Sequence, residues 1–291
     1  MKKVLVTGAT GFIGNHVIQV LLHKGYTVIA TSCNKENAQS ESWFGNVQYV
    51  EFDLKSIDDS INYFHYFHQP DVMIHLAWEG LPNYKNDFHI IENLPRHKAF
   101  LKNLLQNGLK DITVTGTCFE YGLKDGCLSE ETVCEPANAY AVAKNELRKW
   151  LMNLSAELAF NFKWARLFYM YGKGQNPNSL ISQLEKALAD NEPFFNMSGG
   201  EQVRDFLPVE KLAEYIVAIA LQRNITGVIN CCSAAPVRVK DFVENYMKEK
   251  GMNIKLNLGY YNYTDYESMK FWGDNKILKQ LLANEQSNSA I

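Results

Sequence analysis

The stretch Lys3-Val4-Leu5-Val6-Thr7-Gly8-Ala9-Thr10-Gly11-Phe12-Ile13-Gly14 decides the fold. Val4, Leu5 and Val6 form an uninterrupted apolar run, the pattern of a strand covered by helices on both faces. Glycines at 8, 11 and 14 follow, and helical periodicity then runs from Gly14 to Lys24. A backbone without Cβ atoms can turn sharply there and approach a pyrophosphate. The free N–H groups and dipole at the helix start favour that anion. A glycine triplet alone is weak evidence. Between a strand and a helix, at the head of a βαβ series, it stands in the context the motif requires.

Working outward, short β-branched runs alternate with amphipathic stretches. Strands are expected at 3–7, 27–32, 47–52, 72–76, 112–115 and 163–168, and helices at 14–24, 57–67, 94–107 and 139–159. Such alternation implies a parallel sheet. The expectation is an α/β chain: a doubly wound parallel Rossmann sheet over residues 1–170, followed by a smaller C-terminal substrate-binding lobe, mainly 171–291. The helical pattern at 209–222 is expected to pack back on the sheet. Residues 171–181 carry Gly, Asn and Pro and read as a long functional loop.

Composition narrows the partners. At 46% hydrophobic and 21% charged residues, the chain is ordinary globular protein rather than disordered. A net charge of -3 gives no reason to expect nucleic acid. The six cysteines form no CxxC pair and no Cys/His cluster, so reduced thiols, no metal and a cytoplasmic location are expected. Met1-Lys2-Lys3 and the apolar run imitate a signal peptide, but Thr7, Gly8, Thr10, Gly11 and Gly14 interrupt it. No segment approaches the roughly 20 apolar residues that span a bilayer, so no membrane partner is expected. A homodimer is compatible with the sequence.

A dinucleotide site that selects NAD places Asp or Glu at the end of the second strand, about 20 residues on, to accept from the ribose 2′-OH. Here Thr31-Ser32-Cys33-Asn34-Lys35 stands there. Ser32, Asn34 and Lys35 could bond or neutralise a 2′-phosphate that a carboxylate would repel. The loop therefore favours NADP(H) over NAD(H). Further on, Tyr140 and Lys144 are four apart on an expected helix and share one face. A neighbouring ammonium favours phenolate, so Tyr140 is expected to have a lowered pKa and to exchange protons near neutrality. Thr117 falls just past the fifth strand, at the carboxyl edge of the sheet where such folds place substrate.

These residues resemble the TGxxGxxG fingerprint of the extended short-chain dehydrogenase/reductase family, and Thr117, Tyr140 and Lys144 its catalytic triad. The resemblance covers nearly the whole chain. It implies that Gly8, Thr10, Gly11, Phe12, Ile13 and Gly14 hold the cofactor pyrophosphate, Asp53 and Leu54 the adenine, and Leu76 and Ala77 the cofactor backbone. It assigns Trp78, Cys118, Phe119, Tyr169, Asn176 and Arg204 to a nucleotide-sugar substrate. In 166–172, which resembles the family's RxxNxYG stretch, Tyr169 replaces the usual Asn. Arg204-Asp205-Phe206 resembles the segment whose arginine reaches the substrate diphosphate, a task suited to a guanidinium fork. The competing reading of Arg204 is a surface ion pair with Asp205 or Glu201.

Three reactions share this scaffold: C4 epimerisation, 4,6-dehydration and ketone reduction. The dehydratases resemble one another in a Thr-Asp-Glu run that matches Thr117, Cys118 and Phe119 here, and neither Cys118 nor Phe119 can do that acid/base work. Glu120, displaced by one, is expected on the opposite face of a strand-like segment. Epimerases tend to keep the acidic ribose ligand. Residues 75–84 and 116–122 resemble bacterial 4-keto-6-deoxy-sugar nucleotide reductases, including dTDP-fucose-forming and CDP-abequose-forming enzymes. The resemblance thus implies NADPH-dependent reduction of the C4 ketone of dTDP-4-dehydro-6-deoxy-D-glucose to dTDP-D-fucose for surface polysaccharide. The alternatives are a nucleotide-sugar C4 epimerase and, from another class, a non-catalytic NADP-sensing regulator.

Overall fold

Lys3–Thr7 (β1) lies in the interior of the main sheet, because Val4 to Thr7 can all be buried between helices. The computed structural model describes residues 2–289. In it the first half continues with α1 (Phe12–His23), β2 (Thr27–Ser32), α2 (Lys35–Gln39), β3 (Gln48–Glu51), α3 (Tyr63–Tyr66), β4 (Val72–His75), α4 (Leu94–Gln106), β5 (Asp111–Thr117), β6 (Gly126–Leu128), α5 (Ala139–Leu158) and β7 (Asn161–Leu167). The second half adds β8 (Tyr169–Tyr171), α6 (Leu180–Ala189), β9 (Phe194–Asn196), β10 (Val203–Pro208), α7 (Val209–Leu221), β11 (Gly227–Cys231), β12 (Pro236–Arg238), α8 (Val239–Lys250), β13 (Lys255–Asn257), β14 (Phe271–Gly273) and α9 (Lys276–Ser289).

Seven strands form one parallel sheet in the order β11-β7-β5-β4-β1-β2-β3. The chain winds outward from β1 to β3, then returns across β1 to β4 and on to β11. This reversal opens a crevice above the carboxyl ends of β1 and β4, the position at which such sheets take ligands. The fold class is the doubly wound Rossmann arrangement expected from the alternation.

The strand period of two sorts the core onto two faces. Val4, Val6, Val28, Ala30 and Ile74 pack with Val17, Ile18 and Leu21 of α1 and with α7. Leu5, Ile29 and Met73 pack with Phe100, Leu101 and Leu104 of α4 and with Leu147 and Leu151 of α5. Helix α7 lies against α1 and α9, and α9 touches β11. The C-terminal third is thus divided. Its α7, β11 and α9 belong to the sheet, while α6, β9, α8 and β13 close a separate small core around Leu184, Phe195 and Val243. Among the described residues, no helix is long and apolar enough to cross a membrane.

Two local readings need correction. The expected helix at 57–67 is only the single turn Tyr63–Tyr66. Asp58 takes the Ser60 N–H and hydroxyl, and Asn62 caps the turn through the His65 N–H, so polar side chains hold residues 58–62 out of helix. Residues 118–121 form a 3-10 turn rather than a strand, because Thr117 and Glu120 make a capping box.

Far from the crevice, Lys163 on β7 is wholly buried and ion-paired with Asp111 on β5 at 2.6 Å. Its ammonium also donates to Ala220 O and Gln222 O at the end of α7, joining sheet and helix. Asp111→Ala strands that buried charge and is expected to cost about 3–5 kcal/mol. The double change Asp111→Ala/Lys163→Met should recover most of it, as read from denaturant midpoints. A single variant as stable as the parent would show that the pair carries no weight.

Candidate active site

The glycine loop is built by close approach. Gly8 has φ +67°, and a Cβ there would lie 2.9 Å from Ala77 N, so β1 and β4 can converge only over a glycine. At Gly14 a Cβ would overlap Gly8 O. Helix α1 starts at Gly11 with no side-chain cap and no acid in its first turn, which leaves its first N–H groups available to an anion. The adjoining cleft is lined by Gly8, Thr10, Gly11, Ser32, Asp53, Leu54, Ala77 and Trp78, among others. Thr7 hydroxyl bridges this loop to β4, receiving the Ala77 N–H at 3.3 Å and contacting His75 Nδ1 at 2.7 Å. The shape and polarity of this cleft fit a dinucleotide. Phe12 and Ile13 are not among its lining residues; Phe12 lies edge-on to His16 and Ile13 packs against the core.

The NADP(H) expectation rests on Ser32, Asn34 and Lys35 being free, and the structure engages them otherwise. Ser32 hydroxyl is hydrogen-bonded to Tyr49 hydroxyl at 2.9 Å. Asn34 caps α2 by accepting the Asn37 N–H. The Lys35 N–H donates to the Glu51 carboxylate at 2.8 Å, so an acid from β3 reaches the loop that lacks one of its own. The Asn34 oxygen is thus used as a cap while its amide N–H groups and the Lys35 ammonium stay exposed.

At the opposite end, Thr117 closes β5, and Tyr140 and Lys144 occupy the first turns of α5, whose N-cap Asn138 accepts the Ala141 N–H. All three are buried. Thr117 lies near Tyr140, and its hydroxyl oxygen accepts the Phe119 N–H at 3.3 Å. Lys144 Nζ donates to Thr115 O at 2.9 Å and sits 4.1 Å from the Trp78 ring centroid. The expected lowering of the Tyr140 pKa is reversed. Burial pushes the phenol well above its ordinary value, and no effect of Lys144 offsets it. Burial also brings Lys144 down to about 7, with Glu120 pulling the other way. Desolvation thus outweighs the charge pairing on which the sequence argument relied. The phenol is held protonated.

Trp78, expected at the substrate, lies at the cleft beside the glycine loop. It lines that cleft, stacks on His97 with centroids 4.4 Å apart, and donates from Nε1 to His89 Nδ1 at 3.1 Å. His75 and His97 are linked at 2.7 Å, and burial holds His75 down to about 3, so both imidazoles stay neutral.

The second cleft opens beside Tyr140, lined by Tyr84, Tyr169, Tyr171, Gln175, Ser179, Arg204, Phe206, Phe242 and Glu267, among others. Phe119 packs edge-on against Tyr84. Cys118 is buried nearby, and burial keeps its thiol protonated. Asn176 stays out of this cleft. It is exposed, and its side-chain oxygen accepts the Asn178 N–H. Arg204 pairs with neither Asp205 nor Glu201. Its Nη2 donates to Glu267 at 2.8 Å, and Tyr169 hydroxyl donates to the same carboxylate at 2.7 Å. Asp205 instead accepts from Ser233 and Ala234. Glu120 is turned away into the core, where Arg166, Trp164 and the Thr117 N–H surround it.

Glu51, Tyr84, His89 and Glu267 escaped the sequence reading of the site. Tyr84 lay within the quoted stretch 75–84. Nothing local marks Glu51 or Glu267, which arrive from other elements. Among the described residues, no group of three His, Cys, Asp or Glu side chains could hold a metal ion.

Comparison with known proteins agrees with this geometry. The chain is 30% identical over 277 residues, covering 93% of this chain and 99% of the relative, to the dTDP-6-deoxy-L-talose 4-dehydrogenase (NAD(+)) of Aggregatibacter actinomycetemcomitans. It is 26% identical to the uncharacterized UDP-glucose epimerase YtcB of Bacillus subtilis, over 99% of this chain and 94% of the relative. A UDP-glucuronic acid 4-epimerase from Bacillus cereus, solved with UDP-glucuronic acid and NAD, superposes with a TM-score of 0.83 at 26% identity, covering 97% and 93% of the two chains. The model of the NAD dependent epimerase/dehydratase family matches residues 4–232, from β1 through the glycine loop, Thr117, Tyr140 and Lys144 to the end of β11. The chain belongs to that family.

Proposed function

We propose that this chain is an oxidoreductase acting at C4 of a nucleotide-linked 6-deoxyhexose, interconverting the 4-ketone and the C4 alcohol. One observation carries the reading. A complete Thr117–Tyr140–Lys144 arrangement faces a turn that offers no free carboxylate, since Cys118 is a protonated thiol, Phe119 is part of an aromatic wall and Glu120 is tied to Arg166. Dehydration needs an acid and a base at those positions, whereas hydride transfer at C4 needs only the triad. A merely sensing protein would need no buried phenol beside a threonine and a lysine.

The nicotinamide ring, when bound, supplies or takes up the hydride. Tyr140, kept protonated by burial, donates its O–H proton to the C4 oxygen as the C4–H bond forms, and takes it back in the oxidative direction. Thr117 hydroxyl orients that oxygen. Lys144, anchored on Thr115 O and Trp78, addresses the nicotinamide ribose and eases reprotonation of Tyr140. Arg204 meets the substrate diphosphate, which must compete there with Glu267. Asp53, Leu54 and Ala77 line the cleft that would take the adenosine and backbone of the cofactor, while Leu76 packs on the core beside them. The relative that oxidises dTDP-6-deoxy-L-talose supports the carbon and the nucleotide class. The residues 75–84 and 116–122 support a dTDP-fucose-type product.

Incubation of dTDP-4-keto-6-deoxyglucose with 4-deuterated NADH or NADPH should place one deuterium at C4 of the product. Oxidation of dTDP-6-deoxy-L-talose by NAD+ or NADP+ tests the other stereochemistry. Interconversion of a UDP-hexose with its C4 epimer, without net redox change and with no turnover of either sugar above, would replace this reading by the epimerase one. Tyr140→Phe should cut turnover by about 10²–10⁴-fold while leaving the melting temperature and dinucleotide binding in place.

The ammonium of Lys144 adds a pH test. With its pKa brought down to about 7, the cofactor-free protein loses that charge as pH rises through neutrality. Because kcat/KM reports ionisations of the free enzyme, it should fall above about pH 7 in the reductive direction. A profile flat to about pH 9 would show that the charge survives burial or is not needed.

A further inference from the structure

The adenosine end of the cofactor cleft carries a carboxylate from an unexpected strand. β2 ends without an acid, but β3 runs parallel beside it with Ser32 opposite Glu51. Glu51 is exposed, and its Oε1 accepts the Lys35 N–H at 2.8 Å, just past the end of β2. The hollow it lines shares Cys33, Phe52 and Asp53 with the cofactor cleft, so the carboxylate borders the space where the adenosine ribose leaves the protein.

We propose that Glu51 selects NAD(H) over NADP(H), acting from β3 in the place of the missing acid of β2. This rests on the reading of the cleft as a nicotinamide dinucleotide site. A 2′-hydroxyl can donate to the carboxylate, whereas a 2′-phosphate meets like charge and finds the Lys35 N–H already taken. The other groups around it do not reverse the balance. Glu36 and Asp53 add negative charge, Lys55 is paired with Glu79 at 3.2 Å, and the Asn34 amide and Ser32 hydroxyl, bonded to the Asn37 N–H and to Tyr49, are neutral and bring no charge that offsets Glu51. Lys35 offers the one nearby ammonium, and it extends into solvent where screening weakens it.

Dissociation constants of NADH and NADPH, measured by quenching of tryptophan fluorescence in the full chain, test this. The parent should bind NADH at least tenfold tighter than NADPH. Glu51→Gln, whose side-chain oxygen can still accept the Lys35 N–H, should tighten NADPH about tenfold and change NADH less than threefold. Glu51→Ala should give the same change in selectivity if charge is the cause. Parent binding of NADPH as tight as NADH, or unchanged selectivity in both variants, would overturn the role of Glu51 while leaving a dinucleotide site. Failure of both dinucleotides to bind the parent would overturn the reading of the cleft, and the proposal with it.

Discussion

The carboxylate of Glu120 is the constraint on which the catalytic end of the molecule depends. Fully buried, it takes two hydrogen bonds from Arg166, at 3.0 and 2.8 Å, one from Trp164 and one from the Thr117 N–H. Burying such a pair gains little net stability, but removing one partner leaves an uncompensated charge. The geometry therefore has few alternatives. β7 supplies Arg166 and Trp164, β5 supplies the turn, and the capping box fixes where Thr117 points. A Cβ at Gly116 would overlap Trp164 Nε1, so the turn also depends on a glycine. The acid that stands one position beyond the dehydratase run in sequence is, in space, the clamp that positions the threonine.

Tyr140 and Lys144 show how far burial changes a spacing argument. On an exposed helix, an ammonium four residues from a phenol would favour phenolate. Here both groups are enclosed, and desolvation opposes charge on each. The result is a neutral phenol and a lysine near its own titration point, with Trp78 and Thr115 O as its neighbours. A bound cofactor brings hydroxyls and a ring into this space, so the charged state of Lys144 is governed by what occupies the cleft. The pair is poised by its surroundings, and the tyrosine reads as an acid before it reads as a base.

What was legible in the sequence is what local rules govern. The glycine loop, the apolar runs of β1 and β4, and the four-residue spacing on α5 each depend on neighbours a few residues away. β11 and the small sheets were not legible, since their residues acquire strand partners only through long-range pairing. The stretch 57–67 misled because its apolar spacing suits a helix, while Asp58, Ser60 and Asn62 satisfy the backbone locally. Arg204 was legible as a buried-site arginine but its partner was not, because Glu267 arrives from a distant segment after α8. Trp78 was read as a substrate residue from its segment, while packing on His97 holds it at the cleft beside the glycine loop.

The same separation bears on which reaction the triad serves. An epimerase and a C4 oxidoreductase use the same acid and the same hydride acceptor, and they differ in whether the dinucleotide stays bound between turnovers. That difference is not written at Thr117, Tyr140 or Lys144. It is written at the adenosine end, where retention requires many enclosed contacts. Here Cys33, Asn34, Lys35 and Glu51 are all exposed, the Ser32 hydroxyl is bonded to Tyr49 and the Asn34 oxygen caps α2. Under the proposed reading, the contacts made at this end, Glu51 among them, set how long the dinucleotide stays, and net oxidation or reduction of a sugar demands that it leave.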